Sequence, residues 1–334
     1  MREFIKENLL FLILPLVIIL IFDVSLRMQN SLYKEKYEGF KKEKDSIEIL
    51  ILGTSLSTYG IDPEEFDLYA YNLSNLAQSI YFDKRITLSL LPELTKLKYV
   101  FISIGYHSFA FSSQFNRDFW SYYGNGIKYE GTNYLLADLS PTVFGYTPKV
   151  SYALLKRRII NRIKYGKDII DFDVQEGVDL YKPVINGYIA LEGTDSTKFN
   201  KEEYSFVSNS YYEIIDESDE KDEIIADLED FIKILQAKGI TPILITLPTY
   251  RKYNEYLNKE YINENIKESE RIAQKYNIRY WDFLNSERFI KSDFYDVEHL
   301  NREGAAKFSR MLNDSINKIE TESVLVDKTS FRKN

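Results

Sequence analysis

The chain has 334 residues, of which 44% are hydrophobic, and its formal net charge is −8. The apolar fraction suits a globular protein, and the negative charge disfavours binding to nucleic acid, which requires a basic face for the phosphates. The chain contains no cysteine and two histidines, His107 and His299. These counts exclude disulfides, thiol nucleophiles, zinc–thiolate sites and three-histidine metal sites, so a general-base histidine must be one of these two.

Residues 9–22 form an unbroken apolar run near the amino terminus. The run is short for the ~30 Å hydrocarbon core of a bilayer, but apolar neighbours lengthen it and flanking charges can reach the interface. We expect residues 1–28 to form a signal-anchor membrane helix, with Arg2 and Lys6 favouring a cytoplasmic amino terminus. A cleaved signal peptide and a buried core helix are the alternatives, although no Ala-x-Ala follows the run and the run has no polar stripe.

Residues 29–46 are polar and charged, and we expect a linker or a short helix there. Beyond them, short apolar runs predict five strands, over residues 47–52, 69–73, 99–104, 240–247 and 278–282. Helical spacing predicts helices over residues 77–97, 219–238, 261–276 and 302–319. Continuous apolar strands that alternate with helices are typical of an α/β protein whose parallel sheet is covered on both faces.

The alternating pattern is lost between about residues 109 and 218, which are rich in aromatic residues. We interpret this stretch as a long insertion after the third strand, in which most of the aromatic side chains pack a small core and one or two line the cleft. The soluble part is then one α/β domain over residues 47–320, and residues 321–334 are a tail.

Candidate catalytic residues follow the first and last strands, because ligands of open parallel sheets bind beyond the carboxyl ends of the strands. Gly53 and Ser55 come after the first strand, where a tight turn can expose a hydroxyl and aim backbone N–H groups at an oxyanion. A serine nucleophile needs a base, for which His299 is a candidate, and Asp296 can hold its Nδ1 atom. Each pattern alone has an ordinary alternative, a helix cap or a surface ion pair, but together they predict a Ser–His–Asp site.

Polar residues also follow the second and third strands. Asn75, Ala77 and Gln78 come after the second strand, and His107 comes after the third. His107 either lines the site or is a hydrogen-bonded core histidine. No Gly-rich phosphate loop or convincing carboxylate cluster is present, so we predict no nucleotide cofactor and no metal.

Four segments resemble, in the same order, the four sequence blocks of the SGNH/GDSL hydrolase superfamily. They are residues 49–55 (ILILGTS), 72–79 (NLSNLAQS), 102–107 (ISIGYH) and 296–299 (DVEH). The resemblance covers roughly residues 47–108 and 240–318, and it implies a flavodoxin-like three-layer sandwich. With an anchored amino terminus, the chain is also similar to membrane-tethered SGNH-like proteins of the cell envelope, such as the D-alanyl-transfer protein of the teichoic-acid pathway and the alginate acetylation proteins.

The resemblance implies a role for each matching residue. Ser55 matches the nucleophile, within Gly-Thr-Ser instead of the usual Gly-Asp-Ser, and His299 and Asp296 match the base and the residue that orients it. Ala77 stands where the superfamily has a glycine whose N–H serves the oxyanion hole, and a backbone N–H survives that change. His107 stands where the superfamily has an asparagine, and an imidazole N–H can donate in its place.

We therefore expect a membrane-anchored serine acyltransferase or esterase that acts through an acyl-serine intermediate on acyl groups, O-acetyl or similar, of a cell-envelope polysaccharide. It would be a single-pass protein of the cell membrane, with its soluble domain extracellular or periplasmic. Its expected partners are the bilayer, the glycan and an integral membrane acyltransferase. The alternatives are a catalytically impaired partner that binds glycan or such an acyltransferase, and a cytosolic or monotopic lipid esterase.

Overall fold

The computed structural model describes residues 32–110, 184–216 and 220–330, with Ile127 and separate residues within 11–24 and 152–163. The chain divides into two compact units. One comprises Met1–Glu35 and Ser113–Asp173, and the other comprises Lys36–Ser112 and Val174–Asn334. Every predicted site residue belongs to the second unit.

In the first unit, the described residues 15–21 are helical, and their apolar side chains, those of Leu16 and Ile21 among them, are exposed. Most of the expected anchor at residues 1–28 lies outside the described residues. Within the part of the chain that the structure describes, no helix is both long enough and apolar enough to cross a membrane.

The second unit contains a sheet of five parallel strands, which confirms the predicted α/β class. The strands are β1 (Ile49–Leu52), β2 (Ala70–Asn72), β3 (Tyr99–Ser103), β4 (Thr241–Thr246) and β5 (Arg279–Asp282). They lie in the order β2-β1-β3-β4-β5, and every neighbouring pair is parallel. All five predicted strands are present, each slightly shorter than its apolar run.

Helices pack on both faces of this sheet. In chain order the described helices are α1 (Leu32–Glu43), α2 (Ser55–Gly60), α3 (Ile80–Leu90), α4 (Lys201–Asp216), α5 (Lys221–Ala237), α6 (Arg251–Asn254), α7 (Lys259–Tyr276) and α8 (Arg302–Ser330). Helix α8 packs with α2, and α5 packs with α3 and α7. The strand order reverses between β1 and β3, and the carboxyl edge at such a switch point is where open parallel sheets bind ligands.

Successive side chains of a strand point to opposite faces of the sheet and so contribute to the hydrophobic core on each face. Ile51 of β1 lies in a buried cluster with Phe308 and Leu312 of α8, while the neighbouring Leu50 points to the opposite face, as the strand period of two requires. All four side chains are fully buried. Burial of each large apolar side chain contributes about 1.5–3 kcal/mol, so this packing stabilises the position of α8 against β1.

Several helix ends differ from the predicted ones for local reasons. Helix α3 ends at Leu90 instead of at residue 97, since a 3₁₀ turn that contains a proline follows it. Helix α3 begins at Ile80, because Ala77 lies in a turn with φ of +51°. Helix α7 begins two residues early, because the Asn258 side chain accepts hydrogen bonds from the first amides of the helix. Helix α8 continues to Ser330, since neither glycine nor proline follows Gly304 to end it.

Part of the predicted insertion packs with the sheet. Residues 184–216 include a 3₁₀ turn at Ser196–Lys198 and helix α4, and the buried Tyr188 belongs to the main core cluster. Helix α4 was not predicted, because tyrosine and serine obscure its apolar spacing. A start signal was present, since Asn200 accepts a hydrogen bond from the amide of Glu203 at 2.8 Å. The rest of the predicted insertion lies largely outside the described residues.

Candidate active site

The turn after β1 presents Ser55 at the start of a helix. Gly53 has φ of +121°, a conformation that residues with a side chain rarely adopt. The Thr54 hydroxyl accepts a hydrogen bond from the Leu56 amide at 3.3 Å and so caps α2. Ser55 is the first residue of α2 and is partly exposed at the carboxyl end of β1.

Two contacts hold α2 in place. Leu56 packs into the main core cluster. The side-chain amide of Asn72, at the end of β2, donates to the carbonyl oxygens of Ser57 and Ile61, both at 2.8 Å. Because Asn72 is fully buried, these bonds tie the position of α2, and with it Ser55, to the sheet.

Ser55, His299 and Asp296 form a hydrogen-bonded chain. His299 Nε2 lies 2.9 Å from Ser55 Oγ, and His299 Nδ1 lies 3.0 and 3.1 Å from the two carboxylate oxygens of Asp296. With the Nδ1 proton directed to Asp296, Nε2 is left to accept the proton of Ser55. The structure thus brings together the three residues that the sequence predicts for a Ser–His–Asp site.

The Asp-x-x-His segment sets its own geometry. Asp296 Oδ1 accepts hydrogen bonds from the backbone amides of Glu298 at 2.9 Å and His299 at 2.8 Å. The Tyr59 ring packs edge-on against the His299 ring, with centroids 5.4 Å apart. These contacts orient the imidazole before any ligand arrives.

The charges within this group favour a protonatable base beside an ionised carboxylate. Burial lowers the pKa of His299, but the carboxylates of Asp296 and Glu298 outweigh burial and raise that pKa above its ordinary value. Burial also raises the pKa of Asp296, but the charge and hydrogen bonds of His299 and the Glu298 amide outweigh it and lower that pKa. Asp296 is therefore ionised at neutral pH and can stabilise an imidazolium.

Asn75, Ala77 and Gln78 belong to the segment that follows β2, beside the Ser55 turn. The Asn75 amide donates to the Gly53 carbonyl at 3.0 Å, and Gln78 Nε2 donates to Asp83 Oδ1 at 2.7 Å. Ala77 has φ of +51°, in the left-handed region that favours glycine. Ala77 thus adopts glycine-like backbone geometry at the position where the resembled family has glycine.

Asp83 is a buried carboxyl that the sequence did not single out. Its Oδ1 atom accepts from the Gly53 amide at 3.1 Å as well as from Gln78, so a single oxygen joins the turns after β1 and β2. Burial raises the pKa of Asp83 to about 7, although the bonds from Gln78 and Gly53 oppose this shift. A sequence signal existed, because Asp83 interrupts the buried apolar stripe of Ile80 and Ile86 on α3.

His107 is buried just beyond the carboxyl end of β3. Its ring stacks on the Tyr211 ring of α4, with centroids 4.8 Å apart and planes 4° apart. Burial and the nearby charge of His299 lower the pKa of His107 to about 4, so this ring is neutral near pH 7. Since His107 senses the charge of His299, the two histidines share one electrostatic environment.

Glu298, Tyr211 and Tyr253 complete this region and were missed by sequence reasoning. The Tyr211 hydroxyl donates to Glu298 Oε2 and the Tyr253 hydroxyl donates to Glu298 Oε1, each at 3.1 Å. Glu298 lies inside the Asp-x-x-His motif, but its tyrosine partners come from distant helices. No local pattern predicts that meeting.

Among the described residues, no cluster of three or more acidic or histidine side chains is arranged to hold a metal ion. Comparison of the sequence with protein-family models and with curated proteins found no match.

Gly53→Ala is expected to destabilise the fold by about 3 kcal/mol or more. A Cβ at residue 53 would lie 2.4 Å from the Ser103 Cβ, in addition to the strain of a φ of +121°. Gly239→Ala is the matched control, because Gly239 has φ of +75° but no atom of the described residues lies within 4 Å of its Cβ position; its cost should be about 1 kcal/mol. Urea unfolding measures both, and equal losses would contradict a steric role for Gly53.

Asp83→Asn is expected to remove a pH-dependent loss of stability. Between the ordinary pKa of 3.8 and the folded value of about 7, the unfolded chain is ionised and the folded chain is protonated. Wild-type stability from this group is therefore present at low pH and is lost as pH rises from about 4 to 7. Relative to wild type, Asp83→Asn should gain up to about 4 kcal/mol between pH 4 and pH 8.

Urea unfolding at both pH values tests this expectation. Asp222→Asn, on the exposed first turn of α5, controls for the loss of one carboxylate. An Asp83→Asn advantage that does not change with pH would show that Asp83 does not titrate in this way.

Proposed function

We propose that this chain is an SGNH-like serine acyltransferase or esterase that transfers or removes an acyl group, O-acetyl or similar, on a cell-envelope polysaccharide. The observation that carries the proposal is the Ser55–His299–Asp296 hydrogen-bonded chain at the carboxyl edge of a parallel sheet. The strand order β2-β1-β3-β4-β5 is that of flavodoxin-like sheets, which supports the three-layer SGNH-like fold.

In the first half of the proposed reaction, Ser55 Oγ attacks the carbonyl carbon of the acyl donor while its proton passes to His299 Nε2, 2.9 Å away. The carbonyl oxygen becomes an oxyanion, and Asp296 stabilises the imidazolium. When the tetrahedral intermediate collapses, the C–O bond to the leaving group breaks. The leaving oxygen takes the proton from Nε2, and Ser55 holds the acyl group.

In the second half, the acceptor attacks the acyl-serine. A glycan hydroxyl gives transfer and water gives hydrolysis; in both cases the attacking oxygen gives its proton to His299 Nε2. The ester bond to Ser55 then breaks, and Ser55 Oγ recovers that proton. We favour transfer, because the resembled envelope proteins modify polymers.

The oxyanion is proposed to lie near the backbone amides of Ser55 and Ala77 and the imidazole of His107. The positive φ of Ala77 supports its correspondence to the family glycine. Neutral His107 can donate one hydrogen bond without adding charge. Gly53, Asn75 and Gln78 hold this part of the site in place, through the hydrogen bond between Asn75 and Gly53 and the one between Gln78 and Asp83.

Membrane anchoring is proposed from the apolar run at residues 9–22. The exposed apolar side chains of the described residues within it, such as Leu16 and Leu20, fit contact with lipid. A protein tethered outside the cytoplasm would hold its site near envelope glycan and near an integral membrane acyltransferase that supplies the acyl group.

The test uses the full chain in membranes. A fluorophosphonate probe should label the protein, and a chromogenic acetyl ester with glycan oligosaccharides should give acylated oligosaccharide by mass spectrometry. A folded chain that is neither labelled nor active would support the alternative, a catalytically impaired partner that binds glycan or an integral membrane acyltransferase. Digestion of the soluble domain by protease added to intact cells or spheroplasts separates the outward-facing protein from a cytosolic or monotopic lipid esterase.

A further inference from the structure

Glu298 is a second carboxylate beside the Ser–His–Asp chain. Its two oxygens accept hydrogen bonds from Tyr211 of α4 and Tyr253 of α6, each at 3.1 Å. Its backbone amide donates to Asp296 Oδ1 at 2.9 Å, so the residue is tied to the base-orienting carboxylate as well. Glu298 is thus fixed at both its backbone and its side chain, adjacent to His299.

The two tyrosines are donors that keep their protons. Burial, reinforced by the negative charge of Glu298, raises the pKa of both Tyr211 and Tyr253 far above the ordinary value. Tyr211 also carries the stacked His107 on its ring face. One continuous set of contacts therefore runs from His107 through Tyr211 to Glu298.

The titratable groups around this carboxylate come from several elements. Tyr211, Tyr253, Asp296 and His299 act on Glu298 directly, and Tyr106 acts on Tyr253. His299 is affected by Asp296 and Glu298 and acts in turn on His107. The charge of Asp296 also acts on the pKa values of Asp195 and Lys198, which precede α4.

We propose that Glu298 is a positioning residue whose tyrosine-held carboxylate supplies a second negative charge beside His299, stabilises the imidazolium and so sets the pH at which the site works. The part of this role that concerns turnover rests on the proposed function. The electrostatic part does not, because it predicts how His299 titrates in the resting protein.

The electrostatics of Glu298 agree with the geometry of its hydrogen bonds to Tyr211 and Tyr253. Burial raises the pKa of Glu298 to about 7, with Asp296 adding to the shift and His299 and the tyrosine hydroxyls opposing it. The carboxylate therefore changes charge near neutral pH. His299 responds in the reciprocal sense, since Glu298 is one of the two charges that raise its pKa.

The experiment is an NMR titration of the imidazole signals in the full chain. The protein has two histidines, so a His107→Gln reference assigns both signals. Glu298→Gln keeps an oxygen acceptor and removes the charge, and the His299 titration should move to lower pH by roughly one unit. The acid limb of the activity profile should move in the same direction, because that limb reports the base.

Matched variants separate charge from packing. Tyr211→Phe keeps the ring on His107 but removes a donor to Glu298, so it should shift the His299 titration in the same direction by less. Tyr212→Phe, on the exposed neighbour, and Glu303→Gln, on the exposed first turn of α8, should leave it unchanged. If Glu298→Gln does not fold, Tyr253→Phe replaces it with the same expected direction.

A folded Glu298→Gln protein whose His299 titrates as in wild type overturns the proposal. Absence of acyl transfer and of probe labelling in wild type overturns the proposed function instead. In that case the His299 titration can still be measured, so the two failures are distinguishable.

Discussion

Ser55→Ala is expected to abolish fluorophosphonate labelling and to reduce acyl transfer or hydrolysis by roughly 10⁴-fold or more. The substitution removes the hydroxyl that lies 2.9 Å from His299 Nε2 and leaves the base without a nucleophile. Stability should change little, because the Ser55 side chain is partly exposed. Labelling is measured by gel fluorescence and activity by release of the chromogenic leaving group.

Ser57→Ala is the matched control for this variant. Ser57 lies two residues after Ser55 on α2, and its buried hydroxyl has no hydrogen-bond partner among the described residues. Its loss should leave both labelling and activity at wild-type levels. Retained labelling of Ser55→Ala would contradict the nucleophile assignment, while loss of labelling in both variants would point to damage of α2.

Asp296→Asn is expected to reduce kcat by about 10³- to 10⁴-fold with a smaller effect on KM. The amide oxygen can still accept the backbone hydrogen bonds of Glu298 and His299, so the loop should keep its shape. The amide nitrogen, however, can favour the tautomer of His299 with its proton on Nε2, which cannot accept the Ser55 proton. Loss of the negative charge also lowers the pKa of His299, because that charge raises it in the wild type.

Steady-state kinetics across pH, with circular dichroism for folding, tests this expectation. Asp195→Asn is the control, since Asp195 is a partly exposed carboxylate whose pKa is affected by the charge of Asp296 and which caps a 3₁₀ turn. It should retain near wild-type kcat. Unchanged kcat in a folded Asp296→Asn protein would contradict the role of Asp296.

The elements with the clearest periodicity were predicted well. The runs over residues 47–52 and 240–247 are rich in β-branched and apolar residues, and both became interior parallel strands, β1 and β4. Helices whose buried side carries tyrosines instead of aliphatic residues were harder to predict. Helix α4 carries Tyr204 and Tyr211 on its buried side, and such side chains are equally common in loops and interfaces.

The sequence predicted part of the candidate site, because its key residues are few and follow local sequence patterns. Two histidines in the chain limit the choice of base, and Asp-x-x-His places a carboxylate within reach of one of them. The sequence did not predict the roles of Asp83 and Glu298. Their pKa values are raised chiefly by burial, and their hydrogen-bond donors, Gly53 for Asp83 and the two tyrosines for Glu298, come from distant segments.

The sequence by itself determined the α/β class, the five strands and the identity of the Ser, His and Asp candidates. These features follow from short-range periodicity and from residue types that have few chemical substitutes. Only the tertiary structure decided that His299 meets Ser55 across 244 positions, that Tyr211 covers His107, and that Glu298 joins the group. Such contacts depend on how helices from opposite ends of the chain pack at one sheet edge, and local sequence patterns do not encode that packing.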